Sequence, residues 1–161
     1  MFIVLEGPDG SGKTTLAQAL TENLNNLGHH VLYTFEPTVN SEYGHEARKL
    51  LKSNQILDPI YISDLLTADR GCHLKETVLP ALADGKWIVC DRYKYSALAY
   101  QQMQGVDAQY LIESNRKYRI PDAVFILRPQ KVSTLLERIM QRGQQTEYFE
   151  KKRFLEGVIG F

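Results

Sequence analysis

With 161 residues, the chain is long enough for one sizeable core and too short for two ordinary domains. Nineteen Lys and Arg balance nineteen Asp and Glu, so no overall basic field exists for nucleic acid or a membrane surface, and any anion must be bound locally. No apolar run reaches transmembrane length, and Glu6 and Asp9 follow the first apolar residues too closely for a signal peptide, so a cytoplasmic location is expected.

The first apolar run, Phe2-Ile3-Val4-Leu5, reads as a buried parallel strand. It leads into Gly7-Pro8-Asp9-Gly10-Ser11-Gly12-Lys13-Thr14, a phosphate-binding loop of the form G-x-x-x-x-G-K-[ST]. Leu16, Ala17, Leu20, Leu24 and Leu27 follow at helical spacing, so strand, loop and helix come in the order this motif requires. Glycines let successive backbone N–H groups turn toward phosphate oxygens, and the helix dipole adds to that field. Gly7, Asp9, Gly10, Ser11, Gly12, Lys13, Thr14 and Thr15 form the expected nucleotide-binding set. Within it Lys13 reaches the β- and γ-phosphates, and the Thr14 hydroxyl is a candidate Mg²⁺ ligand.

Gly28 should end the first helix. Val31 to Phe35 reads as a second strand, closed by Glu36-Pro37, where Glu36 arrives at a strand C-terminus and becomes a candidate binding residue. A short helix is expected within 41–53, then a loop. A long helix over 60–83 turns Leu65, Leu66, Leu74, Val78 and Leu82 inward and Asp69, Arg70, His73 and Lys75 elsewhere, with Pro80 kinking or breaking it. Trp87 to Cys90 forms a third buried strand that runs into Asp91-Arg92-Tyr93. A carboxylate there, beside a phosphate loop, can organise Mg²⁺, and the neighbouring arginine can fork onto a phosphate. Helices over 96–104 and 107–117 and a fourth strand over 123–127 follow. A last helix over 130–141 carries Arg138, which shares a face with Arg142 ahead of Gly143. These two arginines either complement a helix end or belong to a lid that closes over phosphates. Cys72 and Cys90 have no metal-ligand spacing, and both are expected to fill the core without a disulfide. The alternation of strands and helices implies an α/β fold, a doubly wound parallel sheet of the phosphate-loop kinase type.

Phe2 to Gly7 leading into the loop, Phe35-Glu36-Pro37, Ala68-Asp69-Arg70, Asp91-Arg92-Tyr93, Ser96 with Ala99-Tyr100-Gln101, Pro121-Asp122, and Arg138 with Arg142-Gly143 together resemble the thymidylate kinase family. The resemblance implies a three-layer P-loop kinase domain over residues 1–161, with a lid around 138–149. It also implies ATP as phosphoryl donor, Mg²⁺ and transfer to a deoxynucleoside monophosphate, most directly dTMP, so the expected partners are small-molecule nucleotides, with neither nucleic acid nor membrane. Lys13, Asp91, Arg92, Arg138 and Arg142 then match the catalytic set, and Thr14 and Asp91 the metal residues. Asp9, Glu36, Thr67, Arg70, Arg92, Ser96, Tyr100 and Gln101 match the acceptor pocket. Thr67 takes the place of an aromatic residue that stacks on thymine in the family, and Phe35 that of an arginine ahead of Glu-Pro. Leu127-Arg128 stands where an acidic residue is common. Gly10 leaves the loop without an arginine, which resembles the arrangement in which the lid supplies one. The family continues past Phe161 through another helix, a fifth strand and a last helix, so the apolar Phe149, Phe154, Leu155, Val158, Ile159 and Phe161 have no following element to pack on, the fifth-strand position is an open edge or is filled by another chain, and a homodimer or a longer product is expected. A kinase for another nucleoside monophosphate, or a nucleotide-binding module without useful turnover, fits the same residues.

Overall fold

The computed structural model describes residues 1–53, 58–129, 131–141, 150 and 155–157. Strands β1 (Phe2–Glu6), β2 (Val31–Phe35), β3 (Trp87–Asp91) and β4 (Ala123–Ile126) form one parallel sheet in the order β2-β3-β1-β4. Every residue of β1 is buried. Side chains alternate across a strand, so Phe2 and Val4 pack on one face with Leu74, Val78, Ala81 and Tyr93, while Ile3 and Leu5 meet Ala17, Leu20 and Leu24 on the other. Helices on both faces explain why this strand has no polar interior position, and the fold is the doubly wound α/β class.

Helix α1 (Lys13–Asn26) ends before Gly28, whose φ of 90° suits the turn that follows. The apolar stripe expected on α1 is narrower than read. Leu16 and Leu27 are 45% and 75% exposed, because they lie roughly 80–100° around the helix from buried Ala17, beyond the sheet.

Helix α2 (Glu42–Lys52) starts at Ser41, whose Oγ accepts from the Gly44 amide, and it packs Ala47 on Ile62 and Leu65 of α3 (Pro59–His73). The single long helix expected over 60–83 is α3, then a π-helical turn at Leu74–Val78, then α4 (Leu79–Ala83). Pro80 cannot donate to the carbonyl four residues back and its ring crowds that carbonyl, and the wider turn lies just upstream of it. The inward face also differs. Asp69, Arg70 and His73, expected to point elsewhere, are buried, because polar groups at the end of β2 receive them.

Helices α5 (Lys94–Met103) and α6 (Ala108–Asn115) meet at the Gly105 turn, and α7 (Val132–Gln141) packs Leu135 and Ile139 against Leu155. Cys90 is buried, Cys72 is half-buried, and both are free thiols. Among the described residues β4 pairs only with β1, and its Phe125 and Ile126 are exposed. Arg142, Gly143 and the remainder of the expected lid lie outside the described residues, as do Phe149, Phe154, Val158, Ile159 and Phe161 of the apolar final segment. No described helix is long and apolar enough to cross a membrane.

Candidate active site

The loop between β1 and α1 carries positive φ at Gly7, Gly10 and Gly12, and Gly12 caps α1 with no side chain in the way. Two of these glycines are also required by packing. A Cβ on Gly7 would stand 2.5 Å from the Leu127 carbonyl oxygen, and one on Gly10 would stand 2.9 Å from that of Leu135. The loop is therefore seated between β4 and α7, with the α1 N-terminus open toward the cavity.

Lys13 is buried, and its Nζ donates to the Pro8 carbonyl at 2.8 Å. Burial, helped by the Arg92 cation, pushes this ammonium down to about 8, against the pull of Asp9, Asp91 and Glu6. β1 and β3 are neighbours, with Leu5 opposite Asp91, so the carboxylate at the end of β3 comes beside the start of α1. Thr14 Oγ1 donates to Asp91 Oδ2 at 2.5 Å. The other oxygen, Asp91 Oδ1, is buried without a hydrogen-bond partner, as is Ser11 Oγ. A buried carboxylate oxygen left unpartnered beside a threonine hydroxyl fits a small oxygen-seeking cation. Mg²⁺ needs only one or two such protein oxygens and takes the rest from phosphates and water.

A cavity of about 700 Å³ runs from Lys13 and Thr14 to Arg70 and Gln101. Glu6 organises its floor: Oε1 accepts from the amides of Tyr93 and Ser96, and Oε2 from Ser96 Oγ at 2.6 Å. This carboxylate sits at the N-terminus of α5, where negative charge is favoured, yet burial raises its pKa. Arg92 has φ 70°, the one positive value among described non-glycine residues, a conformation that costs energy and recurs at functional sites. Its Nη2 reaches Asp9 Oδ1 at 2.6 Å and Tyr100 OH at 3.2 Å, and its Nη1 reaches the Gly7 carbonyl and Ser96 Oγ, each at 3.1 Å. Arg92 thus ties the loop to α5, and its charge is fixed in place.

At the end of β2, Glu36 Oε2 accepts from Arg70 Nε at 2.9 Å and is ion-paired with Arg70 Nη2 at 2.8 Å, and Glu36 Oε1 meets His73 Nδ1 at 3.0 Å. Next to Arg70, Asp69 accepts from the Thr38 amide and hydroxyl and from Ser41 Oγ, fixing the segment that leads into α2. Gly44 passes so close that a Cβ would stand 2.5 Å from Asp69 Oδ1. Arg48 reaches back from α2 to the Pro37 carbonyl and lies over the Phe35 ring, 4.9 Å from its centroid.

Of the residues singled out from the sequence, Asp9, Gly10, Gly12, Lys13, Thr14 and Thr15 line the cavity from the loop side. Glu36, Arg70, Asp91, Arg92, Ser96, Tyr100, Gln101 and Arg138 line the rest of it. Gly7 and Ser11 lie behind this surface. Thr67 does not reach it. Its carbonyl accepts from Tyr118 OH at 2.8 Å, and the side chain that faces the cavity beside Arg70 is Leu66, one helical turn before it. Arg138 is exposed, and its Nη1 donates to the Gly10 carbonyl at 3.3 Å. Glu6, Arg48, Leu66, His73 and Asn115 were missed. Leu66 and His73 had a signal, since each shares a helix face with Arg70, whereas the partners of Arg48 and Asn115 are too distant in sequence to be read.

Residues 5–159 match the family profile described as Thymidylate kinase. The chain is 42% identical over 158 residues to the thymidylate kinase of Brachyspira hyodysenteriae, covering 98% of this chain and 76% of that one. It is 46% identical over 152 residues to a probable thymidylate kinase of Pyrococcus horikoshii, covering 91% and 73%. The crystal structure of thymidylate kinase from Ehrlichia chaffeensis superposes with a TM-score of 0.72 at 34% identity, over 80% of this chain and 74% of that one.

Proposed function

The chain belongs to the thymidylate kinase family and phosphorylates dTMP to dTDP with ATP as donor, and we propose that its residues divide this reaction along the one cavity. Phosphoryl transfer asks for positioning and charge stabilisation more than for a strong nucleophile. The loop N–H groups and Lys13 hold the donor phosphates. Thr14 and Asp91 would hold Mg²⁺, which when bound neutralises charge on those phosphates. Arg92, fixed between Asp9 and Tyr100, presents its charge to the acceptor phosphate, with Ser96 beside it and Asp9 and Tyr100 toward the sugar. Arg70 and Gln101 face the base. Gln101 is buried with Oε1 unpartnered, an acceptor suited to the imide N–H of thymine. Leu66 supplies the apolar wall, and Glu36 holds Arg70. Arg138 at the end of α7, with Arg142, stabilises the transferring group as part of a lid around 138–149 on a single domain.

The observation that carries this assignment is the Thr14–Asp91 hydrogen bond at one end of a cavity whose other end holds Arg70 and Gln101. Lys13→Ala should lower dTMP-dependent ADP formation by roughly 10²-fold or more while the fold stays intact by circular dichroism. Near-normal turnover in a folded variant would overturn the role of Lys13. A homodimer in the cytoplasm completes the reading. Exposed Tyr43, Ile60, Tyr61 and Tyr110 lie on α2, α3 and α6, helices that contact one another in that order. Sedimentation velocity reads the state directly, and a monomer at micromolar concentration would remove the dimer.

A further inference from the structure

Arg70 is buried and lines the cavity, and a buried guanidinium is stable only where fixed partners satisfy it. Its planar fork offers five N–H donors. Nε gives one to Glu36 Oε2 at 2.9 Å, and Nη2 is ion-paired with the same oxygen at 2.8 Å. Nη1 gives one to Asn115 Oδ1. The Arg70 guanidinium carbon also lies 5.2 Å from the centroid of the Tyr93 ring. One N–H on Nη1 and both on Nη2 make no hydrogen bond among the described residues, and those are the donors a ligand in the cavity could receive.

The groups that grip Arg70 are themselves held. Glu36 Oε1 meets His73 Nδ1 at 3.0 Å, and His73 Nε2 lies 2.7 Å from Thr34 Oγ1. An ionised carboxylate only accepts, so His73 donates from Nδ1 to Glu36 and turns Nε2 to the threonine hydroxyl. On the other side Asn115 Nδ2 donates to the Leu111 carbonyl at 2.9 Å and to Ser114 Oγ at 3.2 Å. These contacts fix the amide with its oxygen toward Arg70, since the flipped form would set donor against donor. Strand β2, α3 and α6 thereby converge on one side chain. Neither His73 nor Asn115 lines the cavity.

We propose that His73 and Asn115 are positioning residues that aim the remaining N–H donors of Arg70 at the acceptor base, His73 through Glu36 and Asn115 directly. The proposal rests on the reading that Arg70 faces that base. It makes acceptor affinity depend on residues that touch no substrate, by fixing the Arg70 donors beforehand so that binding need not order them.

Steady-state kinetics of Asn115→Leu, Asn115→Asp, His73→Phe and His73→Gln test it, each alone and in an Arg70→Ala background. Asn115→Leu and His73→Phe should raise the KM for dTMP by about tenfold, with kcat and the KM for ATP changed by about twofold or less. Asn115→Asp and His73→Gln keep an acceptor and a donor in place and should recover most of the dTMP KM. In the Arg70→Ala background neither Asn115→Leu nor His73→Phe should raise it further, because the group they position is gone. The proposal is overturned if Arg70→Ala raises the dTMP KM while Asn115→Leu and His73→Phe do not. Equal shifts in kcat and both KM values, or effects that simply add in the double variants, would overturn it too. An Arg70→Ala enzyme with an unchanged dTMP KM would instead remove the underlying reading of Arg70.

Discussion

Replacing Gly10 by alanine measures how firmly α7 is seated on the phosphate loop. Gly10 has φ 79°, a left-handed conformation in which an alanine costs roughly 1–2 kcal/mol. Its Cβ would also stand 2.9 Å from the Leu135 carbonyl oxygen and 3.3 Å from Ile139 Cγ1. The isoleucine can rotate away, but the carbonyl belongs to the helix backbone, so α7 must shift or hold strain of about 1–3 kcal/mol. Gly28→Ala is the matched control, with φ 90° and nothing within 4 Å of its added Cβ. Gly28→Ala should therefore lose roughly 1–2 kcal/mol, and Gly10→Ala roughly 2–5 kcal/mol. At about 2–4 °C per kcal/mol for a chain of this size, thermal unfolding by calorimetry resolves the two. Turnover should fall only in Gly10→Ala, because Arg138, which donates to the Gly10 carbonyl, moves with α7. Equal melting temperatures and equal turnover in the two variants would refute a tight seat for α7.

Lys13 in the folded chain has its pKa lowered from 10.5 to about 8 by burial. Between those values the unfolded chain keeps a proton that the folded chain has released, so this group adds stability as pH rises through the window, and Lys13→Met should flatten that slope. In the free enzyme kcat/KM for ATP should fall above about pH 8, and a flat profile to pH 9.5 would contradict a buried cationic Lys13 at the phosphates. Arg138→Ala and Arg142→Ala should each slow the single-turnover step by about tenfold or more while ATP binds nearly as before. Unchanged single-turnover rates in both would take the lid out of the chemistry. Gln101→Leu should reduce the preference for dTMP over dCMP by roughly 10²-fold, read as the ratio of specificity constants. A preserved ratio would show that Gln101 does not read the base.

The loop, the strand before it and the helix after it could be read directly, because their physics is local: glycines where φ is positive, an apolar run, then a helical period. Asp91 could be read for a related reason. It ends an apolar run, and in a parallel sheet strand ends gather at one edge, so the Thr14–Asp91 contact follows from topology of a common kind. The end of the cavity at Arg70 was legible as residue types and not as contacts. Arg70 was singled out, but its partners Glu36 and Asn115 lie 34 and 45 residues away, on elements whose relative placement no local pattern encodes. The same limit put Thr67 rather than Leu66 on the cavity wall. Periodicity puts both Thr67 and Leu66 near the face of Arg70, and which of them meets the cavity depends on how α3 is rotated against its neighbours. That rotation is set by buried polar partners, Asp69 with Thr38 and Ser41, and His73 with Glu36 and Thr34. A hydrophobic pattern does not reveal them, because charged residues are expected on the outside until partners from distant elements make their burial favourable.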